Sequence, residues 1–182
     1  MPSDAAPALL ERLRVIEYLV LDVDGVLTDG GIIYGDDGTE LKRFHVRDGS
    51  GLAIWRHLGK GAGIISGRKS QAVARRAAEL GISPVIQGER FKVPALRRLL
   101  DHIGLRADQV GAICDDVPDL GVMTNCGLAV AVADAPAEVR ATAHYVTEHN
   151  GGHGAVRETI ELILQAQGRW QAIVDRFRNE KL

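Results

Sequence analysis

The 182-residue sequence lacks the features that mark a secreted or membrane-bound protein. It has only two cysteines, Cys114 and Cys126, which form neither a disulfide framework nor a CxxC zinc-binding pattern. No apolar run approaches the length that crosses a bilayer, and residues 1–14 include acidic side chains but no long apolar stretch. We therefore expect no secretory signal, no membrane partner and a reducing, cytoplasmic environment.

A strong excess of charge of either sign is also absent. The 22 basic and 24 acidic side chains give a formal net charge of −2. Nucleic-acid binding requires a basic surface, so this balance argues against a nucleic-acid partner. The sequence contains no internal repeat, and its length suits one domain. We predict a single domain over residues 1–182, with a core at about 15–167 and a charged tail at 169–182.

Short apolar runs alternate with helical patterns along the chain. Such runs predict strands that are buried on both faces of a parallel sheet, and they lie at 18–21, 62–65, 84–86, 110–113 and 128–132. Apolar residues at helical spacing occur at 93–103 and 156–164. The alternation predicts a three-layer, Rossmann-like α/β fold with a parallel sheet.

The interval between the first two predicted strands is longer than one crossover helix requires. Apolar residues at 32–34 and 41–46 flank an Asp/Gly turn at 35–38, which predicts a β-hairpin flap at about 31–46. A helix is predicted from about 51 to 58. Neither this interval nor any later one leaves room for a cap domain.

Polar side chains follow four of the predicted strands. Ligands of open α/β sheets bind at the carboxyl ends of strands, so these side chains should converge on one edge. The candidates are Asp22, Asp24, Ser66, Lys92, Asp115, Asp116 and Asp119. Carboxylates can hold Mg²⁺ or attack phosphorus, while lysine and serine can bind phosphoryl oxygens. Each residue alone would more often be a turn or capping residue, so the prediction of phosphoryl transfer rests on their joint arrangement.

A second class of protein uses similar side chains. Receiver domains of signalling proteins combine an acidic pair, a phospho-accepting aspartate, a hydroxyl group and a lysine on a doubly wound sheet. In receivers the acidic pair comes first along the chain. Here the Asp-x-Asp motif at 22–24 comes first and the acidic pair at 115–116 comes last, which favours an enzyme.

The motif DVDGVL at 22–27 resembles the first motif of the haloacid dehalogenase superfamily, and Ser66, Lys92 and Asp115 to Asp119 resemble its other three. The resemblance extends over about 15–167 to a capless branch of this superfamily that hydrolyses a sugar-acid phosphate, 3-deoxy-D-manno-octulosonate 8-phosphate. The segments that carry it are 22–30, 44–51, 64–68, 127–135, 145–147 and 151–158.

The resemblance implies a role for each matching residue. Asp22 would be the nucleophile and a metal ligand. Asp24 would be the acid and base, with its backbone carbonyl on the metal, and Asp115 would be a further metal ligand. Ser66 and Lys92 would bind the phosphoryl group. Substrate contacts are further expected at Asp24, His45, Val46, Arg47, Asp48, Gly49, Gly67, Arg68, Arg76, Lys92 and Arg157, with Asp116 and Asp119 in support.

The same resemblance implies Mg²⁺ as cofactor, a homotetramer as assembly, and a place in lipopolysaccharide sugar synthesis. The hairpins would pack together, so that a neighbouring subunit walls the pocket. A phosphatase for a nine-carbon sialic-type acid 9-phosphate is the alternative, although Arg68 favours the eight-carbon substrate because the nine-carbon branch tends to carry glutamate there. From its composition, the glycine-rich stretch at 151–154 is expected to be flexible, so that it could lay His153 or Arg157 over the sugar acid. The alternative is a loop that simply leads into the final helix.

Two positions depart from the pattern of this family. Cys114 stands where the family usually has glycine before the acidic pair, so a thiol there could crowd the metal or be oxidised. His153 stands where the family commonly has arginine, so one expected substrate contact departs from the family pattern.

Overall fold

The structure, a computed structural model, describes residues 7–179. Two parts of the chain lie outside it: residues 1–6, in the N-terminal segment where no secretory signal is expected, and residues 180–182 of the charged tail. Its strands are β1 (Tyr18–Leu21), β2 (Ile33–Tyr34), β3 (Glu40–Leu41), β4 (Gly61–Ser66), β5 (Val85–Gln87), β6 (Val110–Cys114), β7 (Leu128–Ala131) and β8 (Tyr145–Val146). Its helices are α1 (Pro7–Val15), α2 (Val46–His57), α3 (Gln71–Leu80), α4 (Lys92–Ile103), α5 (Leu120–Met123), α6 (Ala137–Thr142), α7 (Ala155–Ala166) and α8 (Trp170–Arg178).

Six strands form one parallel sheet in the order β5-β4-β1-β6-β7-β8. The last residue of β1, Leu21, pairs with Ile64 of β4 on one side and with Ile113 of β6 on the other. The chain leaves β1 toward β4 and later returns to its opposite side at β6. This reversal opens a crevice at the carboxyl end of β1, where α/β proteins bind ligands.

Helices cover both faces of the sheet. Helices α4, α5 and α6 form one layer, while α2, α3 and α7 form the other with α1 and α8 packed beside α7. Every residue of β1 is buried, which explains why its sequence is apolar throughout and does not alternate. The predicted three-layer α/β fold is confirmed. Within the described range, no helix has both the length and the apolar character needed to cross a membrane.

The predicted hairpin flap is present as a separate two-stranded unit. Ile33 pairs with Leu41 and Tyr34 pairs with Glu40 in antiparallel register. Gly38 adopts a φ of +82° in the connecting turn, a conformation that glycine takes without the steric cost of a Cβ. The interval between β1 and β4 therefore holds the flap and α2.

The start of α2 differs from its predicted position. Helix α2 begins at Val46, about five residues earlier than predicted, because close packing against α7 outweighs the low helix propensity of its glycines. A Cβ at Gly51 would lie only 3.3 Å from the Cα of Arg157. The described part of the tail is a helix, α8, and its Trp170 and Ile173 pack against the core.

Candidate active site

Four strand ends place polar side chains around one cleft. Asp22 follows β1, Ser66 ends β4, Lys92 opens α4 after β5, and Asp115 follows β6. A cavity of about 210 Å³ lies between them. Its lining consists of Asp22, Asp24, Ser66, Gly67, Arg68, Lys92, Asp115, Asp116, Pro118 and Asp119. The structure therefore brings the predicted strand-end residues together.

Lys92 joins two of the carboxylates. Its Nζ lies 2.8 Å from Asp22 Oδ2 and 2.5 Å from Asp119 Oδ1, and the residue is only 7% exposed. Burial alone would lower the pKa of Lys92, but the charges of Asp22 and Asp119 raise it above its ordinary value. The lysine therefore keeps its positive charge inside the cleft.

Three carboxylates crowd the same point. One oxygen from each of Asp22, Asp115 and Asp119 lies within 4.8 Å of the others. Burial, followed by the charge of Asp119, raises the pKa of Asp22 to about 6. Burial, followed by the charges of Asp22 and Asp119, raises the pKa of Asp115 to about 8. The single ammonium of Lys92 thus leaves negative charge uncompensated in the cluster.

This donor set fits a hard divalent cation, which takes oxygen ligands. Asp115 Oδ1 and Asp119 Oδ2 are buried and have no hydrogen-bond partner among the described residues. Buried polar atoms normally have a partner, so a cation in the cluster would satisfy both atoms and the excess charge. Asp119, expected only in a supporting role, lies in the cluster beside Asp22 and Asp115.

Gly25 gives the cluster its space. Its φ of +89° is in the region that favours glycine, and a Cβ there would overlap Asp115 Oδ2. The glycine of the DVDGVL motif is therefore required twice, once by the backbone turn and once by the approach of Asp115.

The hairpin adds three side chains that the sequence did not single out. Lys42 Nζ forms an ion pair with Asp24 Oδ1, and Arg68 Nε lies 3.5 Å from Asp24 Oδ2. Arg68 also donates hydrogen bonds to Glu40 Oε1 at 2.9 Å and to the Tyr34 hydroxyl at 3.2 Å. The two-residue spacing of Glu40 and Lys42 was an available signal, because residues i and i+2 of an extended segment share a face.

Residues 45–49 lie at the start of α2 and do not line the cleft around Asp22. Asp48 is buried and accepts a hydrogen bond from the backbone N–H of Arg157 at 2.8 Å, which ties α2 to α7. Arg76 packs directly against Gly49. The substrate contacts expected of this segment and of Arg76 stay predictions.

Arg47, His153 and Arg157 line a separate cavity of about 690 Å³. The guanidinium of Arg157 pairs with Glu161 and lies 5.1 Å from the centre of the Trp170 ring. The described chain therefore holds these side chains away from the cleft. Their predicted contact with a sugar acid also stays a prediction.

The glycine-rich stretch at 151–154 packs closely against the loop after β1. The Gly152 N–H donates to the Val26 carbonyl at 2.9 Å, and the Gly151 N–H donates to Asp134 Oδ1 at 3.0 Å. A Cβ at Gly151 would overlap the Gly25 carbonyl oxygen. These contacts favour the alternative, a loop that leads into α7, whose glycines permit two backbones to meet. The flexibility of the segment stays a prediction.

Cys114 is buried at the end of β6, with 3% of its surface exposed. Burial, followed by the charges of Asp119 and Asp22, raises its pKa well above the ordinary value. Since the thiolate is the reactive form, this environment makes the thiol slow to react. This environment disfavours oxidation of Cys114, one of the two expectations for this thiol, and its crowding of the metal stays a prediction.

The cleft and the sheet together define a class of protein. An acidic cluster and a buried lysine lie at the switch point of a parallel sheet, and the nucleophile candidate directly follows the central strand. This is the arrangement of a haloacid dehalogenase-type phosphoryl-transfer enzyme.

Comparison with known proteins agrees with this class. Residues 81–160 match the model of the haloacid dehalogenase-like hydrolase family. The chain is 43% identical to the 3-deoxy-D-manno-octulosonate 8-phosphate phosphatase of Salmonella typhimurium, over 90% of this chain and 87% of that protein. It is 46% identical to the phosphatase of the same name from Escherichia coli K12, over 88% of this chain and 86% of that protein.

A solved structure is similarly close. The 3-deoxy-D-manno-octulosonate 8-phosphate phosphatase of Moraxella catarrhalis, in complex with magnesium, phosphate and KDO, superposes with a TM-score of 0.92. It is 41% identical, and the match covers 94% of this chain and 99% of that chain. The chain belongs to the 3-deoxy-D-manno-octulosonate 8-phosphate phosphatase family of haloacid dehalogenase-like hydrolases. This membership favours the enzyme over the receiver domain.

Proposed function

We propose that this protein is a Mg²⁺-dependent phosphatase that hydrolyses 3-deoxy-D-manno-octulosonate 8-phosphate to the free sugar acid and inorganic phosphate. The observation that carries the proposal is the convergence of Asp22, Asp115, Asp119 and Lys92 at the carboxyl end of β1. Family membership supports the reaction and the substrate. We also propose that the chain forms one catalytic domain.

In the first step, a carboxylate oxygen of Asp22 attacks phosphorus and forms an aspartyl-phosphate. The bond between phosphorus and the sugar oxygen breaks, and its electron pair stays on that oxygen. Asp24 donates a proton to the leaving oxygen, which departs as the sugar hydroxyl. Lys92 lies beside Asp22 and would pair with the phosphoryl oxygens as their charge develops.

In the second step, Asp24 takes a proton from a water molecule whose oxygen attacks the phosphorus of the aspartyl-phosphate. The bond to Asp22 breaks, its electrons return to the carboxylate, and phosphate is released. Ser66 and Gly67 line the cleft and would hold the phosphoryl group in line with the attacking oxygen.

The metal would be held by Asp22, Asp115 and the Asp24 carbonyl, with Asp119 close enough to assist. When bound, Mg²⁺ supplies positive charge that neutralises the phosphoryl oxygens and the carboxylate cluster. Arg68, half-exposed at the mouth of the cleft, would meet the acidic sugar.

The test is a phosphate-release panel with purified protein. It compares the eight-carbon acid 8-phosphate, a nine-carbon sialic-type acid 9-phosphate and a neutral sugar phosphate, each with Mg²⁺ and with a chelator. We expect release that requires Mg²⁺ and is fastest with the eight-carbon acid. Preference for the nine-carbon acid would refute the substrate, and no release from any compound would refute the activity.

We further propose a cytoplasmic homotetramer. Two buried free cysteines, Cys114 and Cys126, suit a reducing compartment. The apolar side chains of the hairpin are exposed in the single chain, with Ile33 at 50% and Tyr34 at 63%. Contact between hairpins of neighbouring subunits would cover them.

A further inference from the structure

Asp24 is held by a lysine from outside the strand-end motifs. Lys42 lies just beyond β3, and only 1% of its side chain is exposed. Its Nζ contacts Asp24 Oδ1, while 21% of the Asp24 side chain remains open to solvent. Lysine is almost never fully buried unless it is paired, so the close contact with Asp24, together with Glu40 Oε1 at 3.7 Å, accounts for the buried side chain of Lys42.

The other cations of the cleft are engaged elsewhere. Lys92 contacts Asp22 and Asp119 at 2.8 and 2.5 Å. Arg68 comes no closer than 3.5 Å to Asp24 and makes its hydrogen bonds to the hairpin instead. Lys42 is therefore the cation whose close contact sets the orientation of the Asp24 carboxylate.

We propose that Lys42 is a positioning residue for Asp24. Its ammonium holds Oδ1, which leaves Oδ2, 3.5 Å from Arg68 Nε, as the oxygen that exchanges a proton with the substrate or with water. The inference rests on the proposed function, in which Asp24 donates a proton as the phosphorus–oxygen bond breaks and later takes one from water. Such transfer requires the carboxyl group within hydrogen-bond reach of the reacting oxygen.

A purely structural role is the competing explanation. A two-stranded hairpin is marginally stable alone, and the ion pair would then serve to anchor it. The two roles differ in the substrates that they affect. A sugar phosphate expels a basic alkoxide that needs a proton, whereas p-nitrophenyl phosphate expels a weakly basic phenolate that leaves without one. Lost positioning slows the first substrate selectively, whereas a damaged fold slows both.

The experiment compares Lys42→Met with Arg43→Met. Methionine keeps an unbranched apolar side chain in the buried space and removes the ammonium. Arg43 is the matched control, because it is the next hairpin residue and pairs with Asp29 outside the lining of the cleft. The first substrate is 3-deoxy-D-manno-octulosonate 8-phosphate, here shortened to octulosonate 8-phosphate. The second is glucose 6-phosphate, an alkyl phosphate without a carboxylate, and the third is p-nitrophenyl phosphate.

We expect Lys42→Met to lower kcat/KM for both alkyl phosphates by about 10- to 100-fold, which is part of the roughly 10²- to 10⁴-fold that acid–base catalysis contributes. The loss for p-nitrophenyl phosphate should stay below about threefold, because kcat/KM reports only the steps through departure of the leaving group. Arg43→Met should leave all three values near wild type. Equal losses for aryl and alkyl phosphates overturn the positioning role.

A double-mutant cycle separates positioning from direct substrate binding. If Lys42 acts through Asp24, adding Lys42→Met to Asp24→Asn causes little further loss in single-turnover rates on octulosonate 8-phosphate. If Lys42 binds the substrate itself, its full loss appears in both backgrounds and the inference fails. Failure of the proposed function is distinct, since wild-type protein would then release no phosphate from octulosonate 8-phosphate.

Discussion

At the residue scale, the chemistry proposed for Asp22 follows from its surroundings. The carboxylate is desolvated, lies beside two other carboxylates, and contacts the ammonium of Lys92. An amide at this position would neither attack phosphorus nor contribute charge to a metal site. Asparagine, the neutral residue of the same shape, therefore cannot replace Asp22 in function.

Asp22→Asn should reduce phosphate release by at least about 10⁴-fold, as removal of a nucleophile does in other enzymes. Circular dichroism and thermal unfolding should show an intact fold. Asp29→Asn is the control, because Asp29 follows the same strand but pairs with Arg43 outside the cleft lining. Normal turnover by Asp22→Asn would contradict the proposed mechanism.

Gly25 and Gly38 allow two roles of glycine to be tested separately. One is to adopt a positive φ, and the other is to leave space for a neighbouring side chain. Both have positive φ, +89° and +82°, but only Gly25 faces Asp115, while a Cβ at Gly38 would meet open space. Alanine at either position should cost about 1 kcal/mol of stability from the strained backbone. Only Gly25→Ala should also lose activity, by about 100-fold, because it displaces a carboxylate of the cleft.

Thermal unfolding and kcat/KM at saturating Mg²⁺ measure the two effects separately. A Gly25→Ala variant with wild-type kcat/KM would mean that Asp115 can move without consequence.

At the element scale, Glu158 of α7 holds β8 and the loop that follows it. Its carboxylate accepts hydrogen bonds from the Tyr145 hydroxyl at 2.7 Å and from the backbone N–H groups of Glu148 at 2.8 Å and His149 at 3.0 Å. Burial alone would raise the pKa of Glu158, but these hydrogen bonds lower it below its ordinary value. The stabilisation is therefore present above the unfolded-state pKa of about 4.3 and is lost as pH falls through the lower folded-state pKa.

Glu158→Gln should lower the free energy of unfolding by about 1–3 kcal/mol at pH 7, because it weakens charge-assisted hydrogen bonds. The difference from wild type should shrink as pH falls below about 4, where the wild-type carboxylate is itself protonated. Urea unfolding at several pH values measures both. Glu161→Gln, one turn along α7 and more exposed, should cost less than about 1 kcal/mol. A difference independent of pH would contradict this account.

At the scale of the whole molecule, the hairpin exposes apolar side chains that a neighbouring subunit would cover. Ile33, Tyr34 and Leu41 are 50%, 63% and 55% exposed on one small unit, and apolar surface of this kind is usually covered in an assembly. A neighbouring subunit at this position would also close the mouth of the cleft, which in phosphoryl transfer limits access of bulk water.

Ile33→Lys should shift the protein from tetramer toward smaller species, as measured by size-exclusion chromatography with light scattering. Val15→Lys is the control, because Val15 is similarly exposed, at 46%, but lies at the end of α1. Activity on the sugar-acid phosphate should fall together with assembly. A wild-type monomer with full activity would refute both the tetramer and the closure of the cleft by a neighbour.

Much of the fold could be predicted because strands buried on both faces must be apolar throughout, and such runs are visible without any knowledge of tertiary contacts. Once the strands were predicted, the residues that follow them became the site candidates, because ligands bind at the carboxyl ends of parallel strands. These residues are Asp22, Ser66, Lys92 and Asp115. Boundaries set by packing could not be predicted in this way. Helix α2 begins early because α7 covers it, and nothing local to its glycines indicates that.

The sequence by itself determined the parallel sheet, the hairpin in place of a cap and the order of the acidic motifs, since each depends on residues close together along the chain. Only the tertiary structure placed Lys42 on Asp24, Lys92 between Asp22 and Asp119, and Arg157 beside Trp170. Each of these contacts joins different elements of the fold. They depend on strand register, on how closely glycine lets two backbones approach, and on which charge each buried side chain can reach.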